Sequence, residues 1–394
     1  MILPIKVFTR PLHENLCLFA YVVYIFSRIL NTSQFAEFTY WMIIYATVSL
    51  LVLIFLLFSF LLRQRLNGKT FKLTATLSLF AAIVWIHNNK SVTLFLAVFM
   101  IASLNIPYQH IFKGYLVATL AAVALVHILY ATGIFYYDFR LTPGLWGVRF
   151  RHYLGFQGDT YTPNYFFHFL IIFFAIKKRS VNLLETMIVL LVNQIIYALT
   201  MTQAVYFEVY LLVVSFWMIR LFPRICKTRL FKYATIWTLP LTGIAGTAIQ
   251  IAYRQDSVIL ETINQFLSGR LSQGRLAIDT YGIHPFGAKV VWLTGRYGID
   301  RTVDRIYVDM SFLNILITFG WIVLIFVCIG FMLIGKQCWE NENYGSCIAL
   351  LFLAMHSFSD PQLLDLKYDP FILLIGTAYL QLFINRLRCS RNIN

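Results

Sequence analysis

A histidine and a carboxylate near the C-terminus have residue types and a spacing suited to catalysis. His356 and Asp360 lie four residues apart at the end of an apolar run. On an α-helix this spacing brings both side chains to one face, where the pair predicts a general base for a hydroxyl nucleophile. Two assignments stay open: His356 as the base oriented by the carboxylate, or Asp360 as the base itself. In the structural alternative, Asp360 caps the helix before Pro361 and His356 is hydrogen-bonded in the interior.

Arginine is frequent in two polar stretches of an otherwise apolar chain, residues 137–162 and 253–305. A guanidinium binds phosphate oxygens bidentately and keeps its charge, so these stretches predict a site for a phosphate-bearing anion. The leading candidates are Arg151 and Arg270, followed by Arg149 and Arg275. Arg275 has an equal alternative, which is an ion pair with Asp279 at i,i+4. For the long stretch as a whole, the alternative is a solvated loop whose acids balance its cations.

The geometry of the long stretch sets a condition on its two candidate arginines. Arg270 and Arg275 are five residues apart, and on a continuous helix they would point roughly 140° apart. They converge on one ligand only if a glycine breaks the helix, and Gly269 and Gly274 are expected to do so. Upstream, apolar residues at helical spacing predict an amphipathic helix over 257–268 that lies on the bundle: Ile259, Ile263 and Phe266.

Composition shows what kind of scaffold holds these residues. Of 394 residues, 59% are hydrophobic and 12% are charged, and the mean hydropathy is +0.72. Soluble domains are about a quarter charged, so the composition predicts a multi-pass membrane protein and leaves little room for a soluble domain. The net charge of +15 therefore reflects loop charges rather than nucleic-acid binding. The six cysteines have no C-x-x-C spacing and no D-x-D pair occurs, so neither a disulfide, a metal site nor a cofactor is predicted.

The apolar runs predict a single all-α domain, 1–394, with about twelve membrane-spanning helices, since roughly 20 apolar residues cross the hydrocarbon layer. The first apolar run follows Lys6 and Arg10, lacks a small-residue cleavage site and precedes many more spans, so it is interpreted as an uncleaved first helix. The predicted spans are 14–30, 38–62, 71–86, 91–106, 111–136, 163–176, 183–199, 203–221, 233–252, 307–335, 344–357 and 368–386. The large loop 253–305 lies between two of them.

Basic residues alternate between the predicted loops and give an orientation. Most of the 32 Lys and Arg fall in loops on one side, including 63–72, 177–179, 220–232 and 386–391. Cytoplasmic loops carry this excess in bacterial membrane proteins. Both termini are therefore predicted to be cytoplasmic, with the loop 253–305 at the outer face.

Three motifs lie where these predicted helices meet the outer face. The first is Arg151-x-x-Leu154-Gly155-Phe156 followed by Pro163-Asn164. The second is Tyr197-x-x-Thr200-x-Thr202-Gln203, at the outer end of a helix pair. The third joins Gly269-Arg270-Leu271 to Phe286-Gly287.

Two further motifs complete the set. One begins at Asp309-Met310-Ser311 and ends at Gly320, and the other runs from His356 to Asp369-Pro370-Phe371. In this order the five motifs resemble those of Wzy-type polymerases of O-antigen, capsule and exopolysaccharide, which share a fold class with the O-antigen ligases. The resemblance covers most of residues 145–375. The chain departs from the pattern at Gln203, where an arginine is expected, and in a longer gap before Pro163.

The resemblance implies a metal-independent, inverting glycosyltransferase in the bacterial inner membrane. It would join undecaprenyl-diphosphate-linked oligosaccharide repeats by transferring the growing chain to the non-reducing sugar of a new repeat. Flippase and chain-length regulator proteins are the partners that it implies, besides membrane lipid. The candidate site then comprises His356 and Asp360 for catalysis, the four arginines for the diphosphate, and five substrate-binding residues: Asn164, Tyr197, Thr200, Gln203 and Asp309.

Two other activities stay in view. An O-antigen ligase would share the donor site and the base. A flippase for the same lipids would also be basic and polytopic, but is expected to show paired halves and broken helices near the midplane. A glycosyltransferase that uses a polyprenyl-monophosphate sugar is disfavoured, because the first outer loop offers only Glu37.

Several other residues have simpler interpretations. His127 is expected to be a hydrogen-bonded core histidine, Glu185 lies near a helix end, and Glu208 is expected to face the interior as a structural partner. Three aromatic residues on outer loops are candidates for stacking on sugar rings: Trp146, Tyr161 and Trp292.

Overall fold

The computed structural model describes residues 11–62, 68–104, 106–144, 147–177, 181–292 and 306–391. Within these ranges the chain is mostly helical. The helices are α1 (Leu12–Leu30), α2 (Trp41–Leu61), α3 (Gly68–Asn88), α4 (Val92–Ala102), α5 (Tyr108–Ala131), α6 (Tyr161–Lys177), α7 (Leu183–Thr200), α8 (Gln203–Leu221), α9 (Arg229–Ala252), α10 (Val258–Phe266), α11 (Arg270–Tyr281), α12 (Ser311–Thr318), α13 (Trp321–Glu340), α14 (Tyr344–His356) and α15 (Leu374–Arg391). Short 3₁₀ turns lie at Gln34–Glu37, Ile225–Lys227 and Pro370–Leu373.

One β-hairpin interrupts the helices. Strands β1 (Phe139–Gly144) and β2 (Gly147–His152) pair antiparallel, with Arg140 opposite Arg151. The prediction of an all-α fold was therefore correct for the bundle but missed this element. Side chains two residues apart on a strand share a face, so Arg149 and Arg151 lie on the same face of the hairpin.

The chain is a multi-pass membrane protein. Six helices within the described residues are long and apolar enough to cross a bilayer: Trp41–Leu61, Thr70–Asn88, Tyr108–Ala131, Leu183–Thr200, Gln203–Leu221 and Trp321–Glu340. Several other predicted spans correspond to helices that are shorter or less apolar. The predicted span 307–335 forms two helices, α12 and α13, because the helix is interrupted at Phe319 and Gly320.

Contacts between connections define two ends of the bundle. At one, here called the hairpin end, the backbone N–H of Gln34 donates to the carbonyl of Gly155 at 3.0 Å. At the other, here called the basic end, Asn343 donates to the Tyr108 hydroxyl at 2.9 Å and Lys177 pairs with Glu185. Basic residues of the described helices cluster at the basic end: Lys72, Lys113, Lys177, Arg220, Arg229, Lys232 and Lys336.

The break between α12 and α13 is filled by the loop 282–292. Ala288 N–H donates to the carbonyl of Ile317 at 3.0 Å. In return, Trp321 and Ile322 N–H donate to the carbonyls of His284 and Pro285, at 3.2 and 3.3 Å. The helix ends at the break thus gain partners from the loop, as exposed backbone polar groups in a membrane protein require.

Helix α14 is too short to cross a bilayer. Its 13 residues give a length of about 20 Å, against roughly 30 Å of hydrocarbon. A chain of turns follows it, here called the turn segment, residues 357–369. Leu363, Leu366 and Tyr368 in this segment are at most 3% exposed, so its irregular backbone is enclosed by protein.

Two expectations for the loop 253–305 were wrong. Helix α10 forms, but Ile259 and Phe266 are 73% and 86% exposed and do not pack on the bundle. Helix α11 runs without interruption through Gly274, where an added Cβ would lie 1.8 Å from Oε1 of Gln250 on α9. Gly274 therefore permits close helix packing rather than a break. Residues 293–305 of this loop lie outside the described residues.

Candidate functional site

The candidate site forms where the turn segment meets α12 at the hairpin end. Ser311, the first residue of α12, holds the segment at three points. Its N–H donates to the carbonyl of Ser357 at 2.9 Å, and its hydroxyl donates to the carbonyl of Asp360 at 2.6 Å and accepts from the N–H of Leu363 at 3.1 Å. Ser311 thereby fixes the backbone before Asp360 through its own N–H and at and after Asp360 through its hydroxyl.

His356 is oriented by Glu208 and not by Asp360. Its Nδ1 lies 2.7 Å from Oε2 of Glu208 on α8, and the histidine is 2% exposed. Asp360 contacts His356 through the backbone instead, because its N–H donates to the His356 carbonyl at 3.0 Å. The predicted orienting pair was therefore wrong, since the carboxylate comes from another helix. The interpretation of Glu208 as an interior structural partner is confirmed by this contact.

The other ring nitrogen of His356 faces further buried polar groups. Its Nε2 is 3.4 Å from Oε1 of Gln362, which also lies 2.9 Å from Nε2 of His168 on α6. The two imidazole rings are 5.0 Å apart between centroids. Because this network is enclosed between α6, α8, α14 and the turn segment, it holds the segment in position and leaves little access for a substrate to His356.

Asp360 is more accessible than His356 and is half-buried. Its Oδ2 accepts a hydrogen bond from Nδ2 of Asn164 at 2.8 Å. Asn164 is 2% exposed and was predicted to bind substrate, but its amide here orients the carboxylate. Burial raises the pKa of Asp360 to about 6, against the lowering effects of His356 and of the Asn164 hydrogen bond. A carboxyl group with this pKa can accept a proton near neutral pH.

Arg270 lies beside this carboxylate. Its Nε donates to Oδ2 of Asp309 at 2.7 Å, and the two side chains are 35% and 27% exposed. Both groups are near enough to influence the pKa of Asp360, which Asp309 raises and Arg270 lowers. Within the described part of the chain, the terminal nitrogens of Arg270 have no hydrogen-bond partner, so its fork is available to a ligand. Two predicted site residues, Arg270 and Asp309, are thus brought together with Asp360.

Arg151 ties the hairpin to the bundle. Its Nε is 2.8 Å from Oδ2 of Asp159 and 3.1 Å from the carbonyl of Thr200. Its Nη2 donates to the hydroxyl of Thr202 at 3.1 Å. Burial lowers the pKa of Arg151, while Asp159 raises it. Its Nε–H and one N–H of Nη2 are therefore used within the protein, and Thr200 contributes a backbone carbonyl to this tie.

The remaining candidates lie apart from Asp360. Arg275 forms the i,i+4 pair with Asp279 at 2.8 Å and also donates to the carbonyl of Ile251. Because α11 is continuous, Arg275 does not converge with Arg270. Tyr197 stacks on Tyr206 with a centroid distance of 4.2 Å. Arg149 on β2 is partly exposed, and Gln203 at the start of α8 is exposed.

The simpler predictions have mixed outcomes. His127 is hydrogen-bonded through Nδ1 to the Val123 carbonyl at 2.7 Å, as expected for a core histidine, and Glu185 caps α7 and pairs with Lys177. Tyr161 stacks on Tyr165. Trp292 packs edge-on against Tyr281. Trp146 lies outside the described residues.

The sequence interpretation missed the residues that support the site. Ser311 lay inside a recognised motif without a role, while His168, Gln362 and Asp159 were not singled out. The spacing of His168, four residues after Asn164, was the available signal, because it gives both residues a common helix face. No three His, Cys, Asp or Glu side chains among the described residues cluster as ligands for a metal.

Comparison of the chain with protein-family models, with curated proteins and with solved structures finds no match. The likeness to polysaccharide polymerases consequently depends on the five short motifs.

Proposed function

We propose that the protein is a membrane polysaccharide polymerase that joins polyprenyl-diphosphate-linked oligosaccharide repeats. The observation that carries the proposal is the half-buried Asp360, with a pKa of about 6, next to the Arg270–Asp309 pair. A base and a cation in one place suit a reaction that removes a proton from a sugar hydroxyl and leaves a diphosphate behind.

In the proposed reaction, the Asp360 carboxylate takes the proton from a hydroxyl of the acceptor's non-reducing sugar. The hydroxyl oxygen forms a bond to the anomeric carbon of the donor chain. The bond between that carbon and the lipid diphosphate breaks, and the electron pair leaves with the diphosphate. Direct displacement inverts the configuration at the anomeric carbon. Asn164 and Ser311 hold Asp360 in place through its carboxylate and its backbone.

The charge that develops on the leaving diphosphate is matched by Arg270. Its terminal nitrogens offer a fork to two phosphate oxygens, and a guanidinium keeps its charge at any physiological pH. Arg151 has fewer unused donors and is assigned a secondary role, holding the hairpin near the diphosphate. The proposal includes twelve membrane crossings, the hairpin end outside the cytoplasm, and flippase and chain-length regulator proteins as partners.

Polymer formation by purified protein on lipid-linked repeats tests the proposal. Wild type should give a ladder of repeat lengths. Arg270→Ala should lose about 100-fold or more in rate, as removal of a charge-stabilising donor usually does, and Arg270→Lys should also be impaired because lysine lacks the fork. Arg275→Ala, which loses an exposed pair on the same helix, is the matched control. Full ladders from both Arg270 variants would contradict the proposal.

A flippase for the same lipids is the second candidate. Helix α14 ends before it could cross a bilayer and the buried turn segment continues its path, which is the kind of broken helix that transporters use. A flippase needs two membrane faces and forms no polymer, so a ladder made in detergent would exclude it as the sole function. A ligase would transfer a finished chain once, giving a single product in place of a ladder.

A further inference from the structure

A second cationic cluster forms around Asp365, five residues after Asp360 in the turn segment. Arg28, in the last turn of α1, has Nη2 3.5 Å from Oδ2 of Asp365 and donates through Nη1 to the Tyr45 hydroxyl at 2.9 Å. Lys367 pairs with the same Asp365 carboxylate. The cluster therefore joins α1, α2 and the turn segment, and Lys367 is seven residues from Asp360 along the chain.

The charges in this cluster do not balance. Among the described residues, Asp365 is the one carboxylate within ion-pair distance of both cations. Burial lowers the pKa of Lys367, while Asp365 and, from further away, Asp360 raise it. The next acidic residue along the chain, Asp369, accepts from the N–H of Phe371 instead. Within the part of the chain that the structure describes, the buried Nε of Arg28 has no hydrogen-bond partner. Burial would raise the pKa of Asp365, but Lys367 and Arg28 lower it to about 2, so the carboxylate is already fully ionised and cannot supply more negative charge. Unpaired buried charge and an unmade hydrogen bond are both costly.

The cluster is reachable from outside the bundle. The side chains of Arg28 and Asp365 are 26% and 23% exposed, and that of Lys367 is 9% exposed. Tyr45, whose hydroxyl accepts the hydrogen bond from Arg28, belongs to α2. Only 17% of the residues in the apolar stretch of α2 are buried. An anion attached to a lipid could therefore approach along α2, with its chain remaining in the hydrocarbon.

We propose that Arg28 and Lys367 bind the diphosphate of a second lipid-linked substrate, the acceptor, while Arg270 binds that of the donor. This inference rests on the proposed function, since a polymerase acts on two lipid diphosphates at once. Asp360 lies in the chain between the two clusters, close to where an acceptor hydroxyl would meet the donor. One additional anion would neutralise the excess charge and give the Nε of Arg28 a partner.

Counting bound prenyl diphosphates tests this site without requiring turnover. The probe is radiolabelled farnesyl diphosphate, measured by equilibrium dialysis against the full-length protein in nanodiscs. Wild type should bind two molecules per chain. Arg28→Gln and Lys367→Gln should each bind one, Arg270→Ala should bind one, and Arg28→Gln with Arg270→Ala should bind none. Lys336→Gln, an exposed and paired cation at the basic end, is the matched control and should bind two.

A more conservative substitution, Arg28→Lys, separates a loss of binding from a loss of folding. Arg28→Lys retains the charge next to Asp365 but not the fork, so its thermal midpoint should match wild type. Its affinity for the second farnesyl diphosphate should fall roughly 10- to 100-fold, the range expected for losing a hydrogen bond to a charged group.

The outcomes separate the two proposals. If Arg28→Gln and Arg28→Lys both bind two molecules with wild-type affinity, the second site is excluded while the proposed function stands. If the Arg28 variants lose a molecule and Arg270→Ala does not, the second site stands and the donor assignment fails. No binding to wild type would contradict both. Displacement of the Arg28-dependent molecule by phosphatidylglycerol in the nanodisc, but not by inorganic pyrophosphate, would overturn the assignment in favour of an ordinary phospholipid.

Discussion

At the scale of single residues, the structure distinguishes between the two candidate bases. His356 is enclosed and bonded to Glu208, whereas Asp360 is half-buried and faces Arg270. The raised pKa of Asp360 also changes how a pH profile must be interpreted. A carboxylate with a pKa of about 6 lies close to an ordinary histidine at about 6.5, so the acid limb alone cannot identify the base, and substitution is needed.

We expect the rate of polymer formation to fall as the pH drops through about 6, because Asp360 then becomes protonated and cannot accept a proton. Asp360→Asn should abolish the ladder at every pH, whereas His356→Gln should retain substantial activity with its acid limb moved to higher pH, because His356 no longer lowers the pKa of Asp360. Rates on lipid-linked repeats between pH 5 and 8 measure this. An active Asp360→Asn variant would remove Asp360 from the mechanism.

Although Asp360→Asn should abolish activity, we expect it to stabilise the folded protein at neutral and alkaline pH. The folded-state pKa of Asp360 is raised, so its stabilising contribution is present when it is protonated, below about pH 4, and is lost as the pH rises through about 6. Asp360→Asn should therefore have a higher thermal midpoint than wild type above pH 7, and the difference should vanish at acid pH. An unstable variant at pH 8 would show that the carboxylate is structural.

The bond between His356 and Glu208 should show strong coupling. His356→Gln leaves a buried carboxylate without its partner, which typically costs about 3–5 kcal/mol, while Glu208→Gln keeps a neutral acceptor and should cost about 1 kcal/mol. The double variant should be more stable than His356→Gln alone, because the unpaired charge is gone. Thermal or chemical unfolding of the three variants measures this, and additive costs would argue against the pairing.

At the scale of elements, the loop 282–292 and the break between α12 and α13 stabilise each other. Gly320 has φ +95°, and an added Cβ would lie 2.2 Å from the Pro285 carbonyl oxygen. Gly287 has φ +81°, and its Cβ would lie 2.1 Å from the Thr318 oxygen. Both contacts are with backbone atoms, which cannot rotate away, so a methyl group must separate the loop from the helices.

Gly320→Ala and Gly287→Ala should therefore detach the loop 282–292 and lower the thermal midpoint. Gly133→Ala is the matched control, since Gly133 has φ +76° but no atom of the described residues lies within 4 Å of an added Cβ. It should cost only the conformational strain, about 1–2 kcal/mol. Limited proteolysis should cleave near residue 289 faster in the first two variants than in the third. Equal effects of all three would mean that strain alone matters and that the backbone contact does not.

Local elements were predictable where the sequence signal was local. Long apolar runs gave the helices from α1 to α9 nearly at their bounds, since apolar runs longer than strands can only be helices in lipid. The hairpin was missed because its alternating arginines and apolar residues were interpreted as a polar loop. Contacts between residues distant in sequence could not be predicted either. Glu208 and His356 are 148 residues apart, and their contact depends on how α8 packs on α14.

At the scale of the whole molecule, charge separates the two ends of the bundle. The connections at the basic end carry an excess of Lys and Arg, while the hairpin end holds Asp360, Arg270 and the loop 253–292 together with the hairpin residues Arg149 and Arg151. The positive-inside rule assigns the basic end to the cytoplasm. This arrangement would place the candidate site at the outer face, where exported lipid-linked repeats are found.

Cysteine labelling tests this orientation, but Cys226 is unsuitable as a reporter because it is 0% exposed. We expect Lys227→Cys and Thr280→Cys, both at exposed positions, to report opposite faces in a background without the native cysteines. A membrane-impermeant maleimide on intact spheroplasts should label the cysteine at position 280 at once and that at 227 only after permeabilisation, because the positive-inside rule predicts that the basic end, with its excess of Lys and Arg, is cytoplasmic. A variant that retains only the fully buried Cys347 should stay unlabelled until denatured. The reverse labelling pattern would place the site in the cytoplasm and exclude substrates that reach it from outside.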